Sequence, residues 1–414
     1  MRYNLTLLHL AILCTFIIIS CGQEDNIIEE EEIITVEEVD PEIPRFFIRT
    51  FDLTEVSSRE EYIDAQIEIR GGSKFEEEIR SIQIRGRGNS TWGFSKKPYQ
   101  IRFDERVEML GMPEGKRWIL LANYTDKTML RNEVGFNLSR MSQMEWTPQS
   151  KFIELNLNED FRGTYQITQK VEVSPNRVNI GNEGFLLEVD QPERLDDDDV
   201  YFNTSCYLFN IKAPNVSEGD EKYTYISNFI KDFEETLFRP EFKDPNEGYR
   251  KYIDLDALID WYLINEITKN NDAQFHTSVY MHVIPGGKLK MGPVWDFDIS
   301  MGNIDYNGNE TIDGFWIKED KWITRFFEDP EFVEEVKLRF QYFYQNRNII
   351  YNSITENADY IQESQGLNYE RWETLGVYVW PNYVYFDTYE EEVDYLEQWL
   401  EQRFEWLNTA INEL

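Results

Sequence analysis

Residues 262–303 read YLINEITKNNDAQFHTSVYMHVIPGGKLKMGPVWDFDISMGN and contain most of the chemistry-bearing pattern of the chain. Helical apolar spacing over residues 254–269 runs into Asn270-Asn271-Asp272, and two short β-rich runs flank the turn at Pro285-Gly286-Gly287. The second run ends on Asp296-Phe297-Asp298. Ionised carboxylates are rarely buried without a partner or a metal, so acids at the ends of apolar elements indicate a functional site. The alternative is a strand end with solvated acids.

The order of the two acids in the sequence indicates a class of reaction. Asp272 follows a helix, and Asp296 lies 24 residues later, beyond a β-hairpin. Protein kinases have two acids in this order, because one Asp orients the attacking hydroxyl and the next binds Mg²⁺. The order is therefore compatible with phosphoryl transfer, and a strand end with solvated acids stays the alternative.

A second informative stretch, SIQIRGRGNSTWGFSKKPYQIRFDE, covers residues 81–105. One strand enters a glycine-bearing loop at 85–93 and another leaves it. Backbone amides of such a loop can approach an anion, and a lysine beyond it can supply charge to phosphates. Ten Lys or Arg stand against five Asp or Glu between Arg85 and Arg131, in a protein of net charge −37. The stretch predicts an anion site, and the alternative is a set of solvated faces paired with neighbouring acids.

Composition excludes several classes of protein. A net charge of −37 repels nucleic acid and anionic membrane surfaces, so we expect no nucleic-acid partner and favour a basic one. Past the N-terminal segment only His276 and His282 remain, which argues against a His-rich zinc site and a Ser-His-Asp triad.

The N-terminus has the pattern of a targeting segment. Residues 1–21 combine Arg2, an apolar run over 5–19 and Ile18-Ile19-Ser20-Cys21, which matches a bacterial lipobox with Cys21 as the lipidated residue. Residues 22–42 are rich in acids and predict an extended tether. Acids directly after Cys21 resemble the surface-export signals of Bacteroidetes lipoproteins. We therefore expect a lipid-anchored protein at the outer membrane or cell surface.

The remaining pattern predicts an α+β fold. Residues 43–190 alternate in the manner of strands, with one main helix of about four turns within 118–142 that Thr125 or Asp126 would cap. Residues 191–414 contain long amphipathic stretches, which favour a helical second half whose aromatic residues form core.

Several motifs together resemble the spore coat protein H (CotH) kinase-like family over roughly residues 80–305. They are RGNSTWGFSKKPYQIRF, LLANYTDKTMLRN, GTYQIT, GFLLEVD, NEITKNND and GPVWDFDISMGN, in this order. The resemblance implies an atypical protein-kinase-like two-lobe fold, with a sheet-rich N-terminal lobe at 43–190 and a helical C-terminal lobe with the catalytic loop at 191–414. It also implies that ATP and Mg²⁺ or Mn²⁺ serve to phosphorylate Ser or Thr of a protein.

Site residues follow from the resemblance position by position. Asp272 would be the catalytic Asp, and Asp296 and Asp298 would bind the metal. Lys97 is preferred to Lys96 as the nucleotide lysine, because alternation places Lys97 on the face of Tyr99. The phosphate-contacting loop would contribute Arg87, Gly88, Asn89 and Ser90. Since Gln169 stands where the family often has Glu, the acid that pairs with the lysine would be Glu188 or Glu133.

Two departures from typical kinases keep alternatives open. Thr277 occupies the position of the kinase metal-binding Asn, and Asp298 replaces the Gly of Asp-Phe-Gly. A non-catalytic surface lipoprotein that binds protein or glycan is the second reading. A glycosidase that uses Asp272 and Asp296 is the third, but it would not explain the basic glycine loop.

Overall fold

The computed structural model describes residues 43–414. It contains twelve strands and eight α-helices in this range. The strands are β1 (Arg45–Thr50), β2 (Ile63–Arg70), β3 (Glu78–Gly86), β4 (Tyr99–Met109), β5 (Met112–Leu121), β6 (Ser150–Leu157), β7 (Asp160–Gln169), β8 (Phe185–Val189), β9 (Tyr201–Asn203), β10 (Leu208–Ala213), β11 (Val279–Val283) and β12 (Lys290–Met291). The helices are α1 (Arg131–Arg140), α2 (Glu221–Phe238), α3 (Leu255–Thr268), α4 (Lys321–Phe326), α5 (Pro330–Gln345), α6 (Asn348–Tyr360), α7 (Gln362–Arg371) and α8 (Tyr389–Asn412).

The first seven strands form a closed barrel in the order β1-β2-β3-β4-β5-β7-β6, which the parallel pairing of β1 with β6 completes. Alternate side chains fill its interior, as Phe46 and Ile48 do on β1 and Ile82 and Ile84 on β3. Closure leaves no unpaired strand edge in this layer. The sequence-based expectation of a sheet with one helix is thus refined to a barrel with α1 beside it.

A second sheet has the order β12-β11-β8-β10-β9, and four of its five strands lie within the half that was predicted to be helical. Its central strand, β8, falls inside the range 43–190 but pairs with β10 and β11. In the register of this sheet Glu188 lies opposite Asn210 on one side and Tyr280 on the other. One face of the sheet therefore presents polar groups to the cavity that is described below.

The α+β class is confirmed, with a sheet-rich first part and helices toward the C-terminus. The α3 helix and the β11–β12 hairpin lie where the pattern of residues 254–291 predicts them. Helix α1 is shorter than expected, and it begins at Arg131 instead of directly after Asp126. The N-cap is Leu130 and neither Thr125 nor Asp126, although Asp126 Oδ2 still accepts the Arg131 N–H at 2.8 Å.

The last helix supports the helix that precedes Asp272. Arg403 on α8 and Glu266 on α3 are fully buried, and their Nη2 and Oε1 atoms are 2.7 Å apart. Glu266 also accepts the N–H groups of Trp316 at 2.6 Å and Ile317 at 2.9 Å. Removing one partner of such a buried pair typically costs about 3–5 kcal/mol, so α3 and α8 are strongly coupled.

The predicted signal peptide, Cys21 and the acidic tether at 22–42 lie outside the described residues. Between residues 43 and 414 no helix combines the length and apolar character that a membrane crossing needs.

Candidate active site

The loop that carries Asp272 is fixed at both ends. Helix α3 stops at Thr268 because Lys269 adopts a left-handed conformation with a φ of 44°. The Asn270 side-chain amide donates to Asn265 Oδ1 at 3.2 Å and to the Trp295 carbonyl at 3.4 Å. Asp272 is buried, and Asn271 Nδ2 donates to its Oδ1 at 3.2 Å. The carboxylate is thus held in one place after the helix ends.

The tripeptide Asp296-Phe297-Asp298 is held by helix α1. Asn132 Oδ1 accepts the Phe297 N–H at 2.9 Å, and the Phe297 ring is completely buried. A Cβ added to Gly135 would overlap that ring, so glycine is needed for the approach. Asn303 Nδ2 donates to the Asp298 carbonyl at 2.6 Å. The sequence analysis did not identify Asn132 or Asn303.

The three aspartates line one cavity of about 590 Å³, a volume suited to a cofactor. Burial raises the pKa of Asp272, and the neighbouring Asp296 raises it further. Burial likewise raises the pKa of Asp296. It also raises the pKa of Asp298, and the charges of Asp296 and Asp272 raise that pKa further. Close carboxylates disfavour simultaneous ionisation unless a cation compensates them. The cluster therefore favours a positively charged ligand.

The glycine loop borders the same cavity. Arg87, Gly88, Asn89 and Ser90 line it, as the sequence predicts for a phosphate-contacting loop. Gly88 has a φ of 84°, and a Cβ there would overlap the Thr91 hydroxyl. Burial lowers the pKa of Arg87, while Asp296 opposes this shift. The structure thus brings the basic loop and the acid cluster together, although Ser90 and Asp272 are 182 residues apart in sequence.

The position of Lys97 differs from the expectation. Strand β4 begins at Tyr99, so its alternation does not extend back to Lys97. Lys97 Nζ donates to the Trp92 carbonyl at 2.5 Å, and Lys97 is not among the residues that line the cavity. Lys96 lines it, but its buried ammonium donates to Thr164 O and, at 2.8 Å, to Asn368 Oδ1. Both ammonium groups thus donate to protein oxygens, and of the two lysines Lys96 alone lines the cavity.

Lys170, which the sequence analysis missed, also lines the cavity. Its side chain makes no hydrogen bond or ion pair within the described residues. Burial lowers its pKa to about 8, and the positive charge of Arg117 contributes to the lowering. Its position directly after β7, at the rim of the barrel, is the signal that could have identified it. Lys170 is therefore the lysine most available to an anionic ligand.

Glu188 lines the cavity and pairs with Lys212, whose Nζ is 3.6 Å from Glu188 Oε2. Burial raises the pKa of Glu188 to about 7, and Lys212 limits the rise. Glu133, the other proposed partner, instead contacts Arg140, Ser150 and Gln166. Of the two predicted acids, Glu188 thus lines the cavity, and its ion-pair partner is Lys212 instead of Lys97.

Thr277 and Ser278, which follow the Asp272 loop, contact different acids. Thr277 Oγ1 donates to Asp190 Oδ1 at 2.8 Å and so faces the end of β8. Ser278 Oγ lies 3.5 Å from Asp296 Oδ2. Of these two hydroxyls, only that of Ser278 points to the acid cluster.

The donor set fits a hard divalent cation. Carboxylate oxygens are the ligands that Mg²⁺ and Mn²⁺ prefer, and Mg²⁺ is usually bound by one or two carboxylates together with substrate phosphates. No group of three or more His, Cys, Asp or Glu within residues 43–414 forms a metal centre by itself. A site made of Asp296 and Asp298 would consequently need further oxygen ligands from a nucleotide or water.

Comparison with known proteins agrees with this geometry. No curated protein matches the chain. The family model described as CotH kinase protein matches residues 84–407, which include the barrel rim, the acid cluster and most of α8. Because this match covers well over half of the sequence, the chain belongs to the CotH kinase family.

Proposed function

We propose that the protein is an ATP- and divalent-metal-dependent kinase that phosphorylates Ser or Thr of a protein, anchored by lipid at the cell envelope. One observation carries the proposal: a single cavity collects Asp272, Asp296, Asp298 and the basic glycine loop. Membership of a kinase family supports the same reaction class. In this interpretation the barrel is the N-terminal lobe and residues 191–414 form most of the C-terminal lobe.

Each residue has a separate role in the proposed reaction. Asp272, held by Asn271, accepts the proton of the attacking hydroxyl. Asp296 and Asp298 would hold the divalent metal, which would supply positive charge to the phosphates. Arg87 and Lys170 contact the phosphates as fixed cations, and the loop at 88–90 covers them. The net charge of −37 favours a basic acceptor protein and disfavours nucleic acid.

Purified protein incubated with labelled ATP and Mg²⁺ or Mn²⁺ tests the proposal. We expect metal-dependent incorporation of phosphate into the protein itself or into added basic protein. If the protein neither incorporates phosphate nor gains thermal stability from Mg-ATP, the proposal is wrong. The non-catalytic reading, in which a surface lipoprotein binds protein or glycan, then becomes the better one.

A further inference from the structure

Four aromatic side chains between α7 and α8 are exposed beside the cavity. Tyr378, Trp380, Tyr383 and Tyr385 are 47–52% exposed, and we call them the aromatic shelf. Trp380 is the only tryptophan within residues 43–414 that is more than half exposed. The rings of Tyr378 and Tyr385 are 6.0 Å apart, and all four side chains lie within eight consecutive residues. Such patches mark interaction sites.

The backbone beneath the aromatic shelf is firmly anchored. The buried Asn382 side chain donates to Thr125 O at 2.6 Å and to Asn303 Oδ1 at 3.0 Å. Asp305 donates its N–H to Pro381 O at 3.0 Å. The rings are therefore exposed on a supported backbone, and a partner would meet a surface that is largely ordered in advance.

The aromatic shelf is adjacent to the catalytic acid. Trp380 stacks on Tyr306 with ring planes 14° apart and centroids 6.4 Å apart, and both residues line the cavity that contains Asp272. Asn303, which accepts from Asn382, also donates to the Asp298 carbonyl. A chain lying on the shelf would consequently extend toward Asp272.

The charges around the shelf favour a cationic partner. Burial raises the pKa of Tyr306, and the carboxylates of Asp272, Asp298 and Asp305 raise it further, opposed by Arg194. The negative charges of these three acids therefore act on the ring on which Trp380 stacks. The Tyr378 hydroxyl also donates to Asp305 Oδ2 at 3.1 Å.

One shelf ring already contacts a cation. Lys127 Nζ lies 5.2 Å from the centroid of the Tyr385 ring, within the range of a cation–π interaction. The ammonium is held there by the Val377 carbonyl at 2.7 Å. The rings of Trp380 and Tyr383 have no such cation among the described residues and remain open to one from a partner.

We infer that the aromatic shelf docks the acceptor polypeptide through Arg or Lys side chains that flank the acceptor hydroxyl. The inference rests on the proposed kinase function, because only a kinase has an acceptor polypeptide. The docking itself needs no nucleotide. Arginine in particular stacks on aromatic faces while its charge meets the surrounding carboxylates. Specificity for the flanking residues would therefore come from the segment between α7 and α8.

The test is calorimetric binding of a synthetic peptide with one Ser between arginines, in the absence of ATP. The matched peptide carries citrulline, which has the shape of arginine without its charge. We expect Trp380→Ala to weaken binding of the arginine peptide about five- to tenfold and Trp380→Tyr to restore most of it. Phe51→Ala, at an exposed aromatic residue on the barrel, should change nothing.

Three outcomes would overturn the inference: equal binding of the two peptides, unchanged affinity in Trp380→Ala, or selective binding of a neutral oligosaccharide to the shelf. The oligosaccharide result would identify the shelf as a glycan site. Because binding is measured without ATP, arginine-dependent binding to a protein that never transfers phosphate would refute the proposed function alone. Phosphate transfer that ignores both Trp380 and arginine would refute the docking inference alone.

Discussion

Asn132 accepts the backbone N–H of Phe297 at 2.9 Å, so helix α1 directly positions the acidic tripeptide. Asn132 in turn donates to Asn123 Oδ1 at 3.2 Å, at the end of the barrel strand β5. The two carboxylates on either side of Phe297 are thereby oriented by an element of the first half of the chain. The backbone of the acidic tripeptide is therefore supported by a contact from the first half of the chain.

Asp296 and Asp272 should fail in different ways when they are neutralised. Asp296→Asn should abolish the thermal stabilisation by Mg-ATP, because an amide binds Mg²⁺ far less well than a carboxylate. Asp272→Asn should keep that stabilisation and lose about 10²- to 10⁴-fold in phosphate transfer, as expected for a lost general base. Both measurements belong on the same preparations. The opposite pattern would show that the roles are assigned wrongly.

Lys170→Ala should lower ATP affinity about tenfold or more, because it removes a charge that is free to contact phosphates. Lys97→Ala is the matched control, since its ammonium is bound to the Trp92 carbonyl and it does not line the cavity. We expect calorimetry to give unchanged ATP affinity for Lys97→Ala. Equal losses in both variants would refute the assignment of Lys170.

The pKa of Lys170, lowered to about 8 by burial and by Arg117, predicts a pH dependence. Below pH 8 the ammonium is charged, so ATP affinity should fall as pH rises through this value. Lys170→Arg stays charged and should flatten the profile. Without nucleotide, the folded state binds fewer protons than the unfolded one between pH 8 and 10.5. The contribution of Lys170 to the free energy of unfolding should therefore rise over that interval.

Gly135→Ala should destabilise the protein by about 1–3 kcal/mol, since the added methyl group overlaps the buried Phe297 ring. Gly366→Ala on α7 is the control, because no atom lies within 4 Å of a Cβ at that position. We expect this second variant to be neutral or slightly stabilising in thermal unfolding. A loss of stability in Gly366→Ala equal to that in Gly135→Ala would contradict the explanation.

Cys21→Ala should move the protein from the membrane fraction to the soluble fraction of cells, because it removes the predicted lipid attachment. Cys206→Ala keeps that attachment and serves as the control. Fractionation followed by mass spectrometry of the N-terminal peptide measures both. Detection of the same lipid on wild type and Cys21→Ala would disprove the lipobox assignment.

Local patterns predicted most of the elements and the acids of the site. Helix α3, the β11–β12 hairpin and Asp272 and Asp296 at their ends follow from periodicity and turn residues over one short stretch. The glycine loop was equally visible, because a cluster of glycines and basic residues stands out in an acidic chain. These features depend on residues that are neighbours in sequence, so they could be predicted from the sequence alone.

Contacts between distant segments could not be predicted in the same way. Lys170 looks ordinary in sequence, and only closure of the barrel brings the end of β7 to the cavity. Alternation misled the choice of Lys97, since the strand starts two residues later. Asn132 is one polar residue in an amphipathic helix, and its role depends on a partner 165 residues away. Long-range packing decided each of these cases.

The buried Arg403–Glu266 pair has a consequence for biosynthesis. Glu266 lies six residues before Asp272, and its carboxylate depends on a guanidinium that the ribosome delivers 137 residues later. A nascent chain that has emerged only through the acid cluster contains the whole Asp272 loop but lacks the cation that compensates Glu266. The loop can therefore gain this support only after α8 has been synthesised.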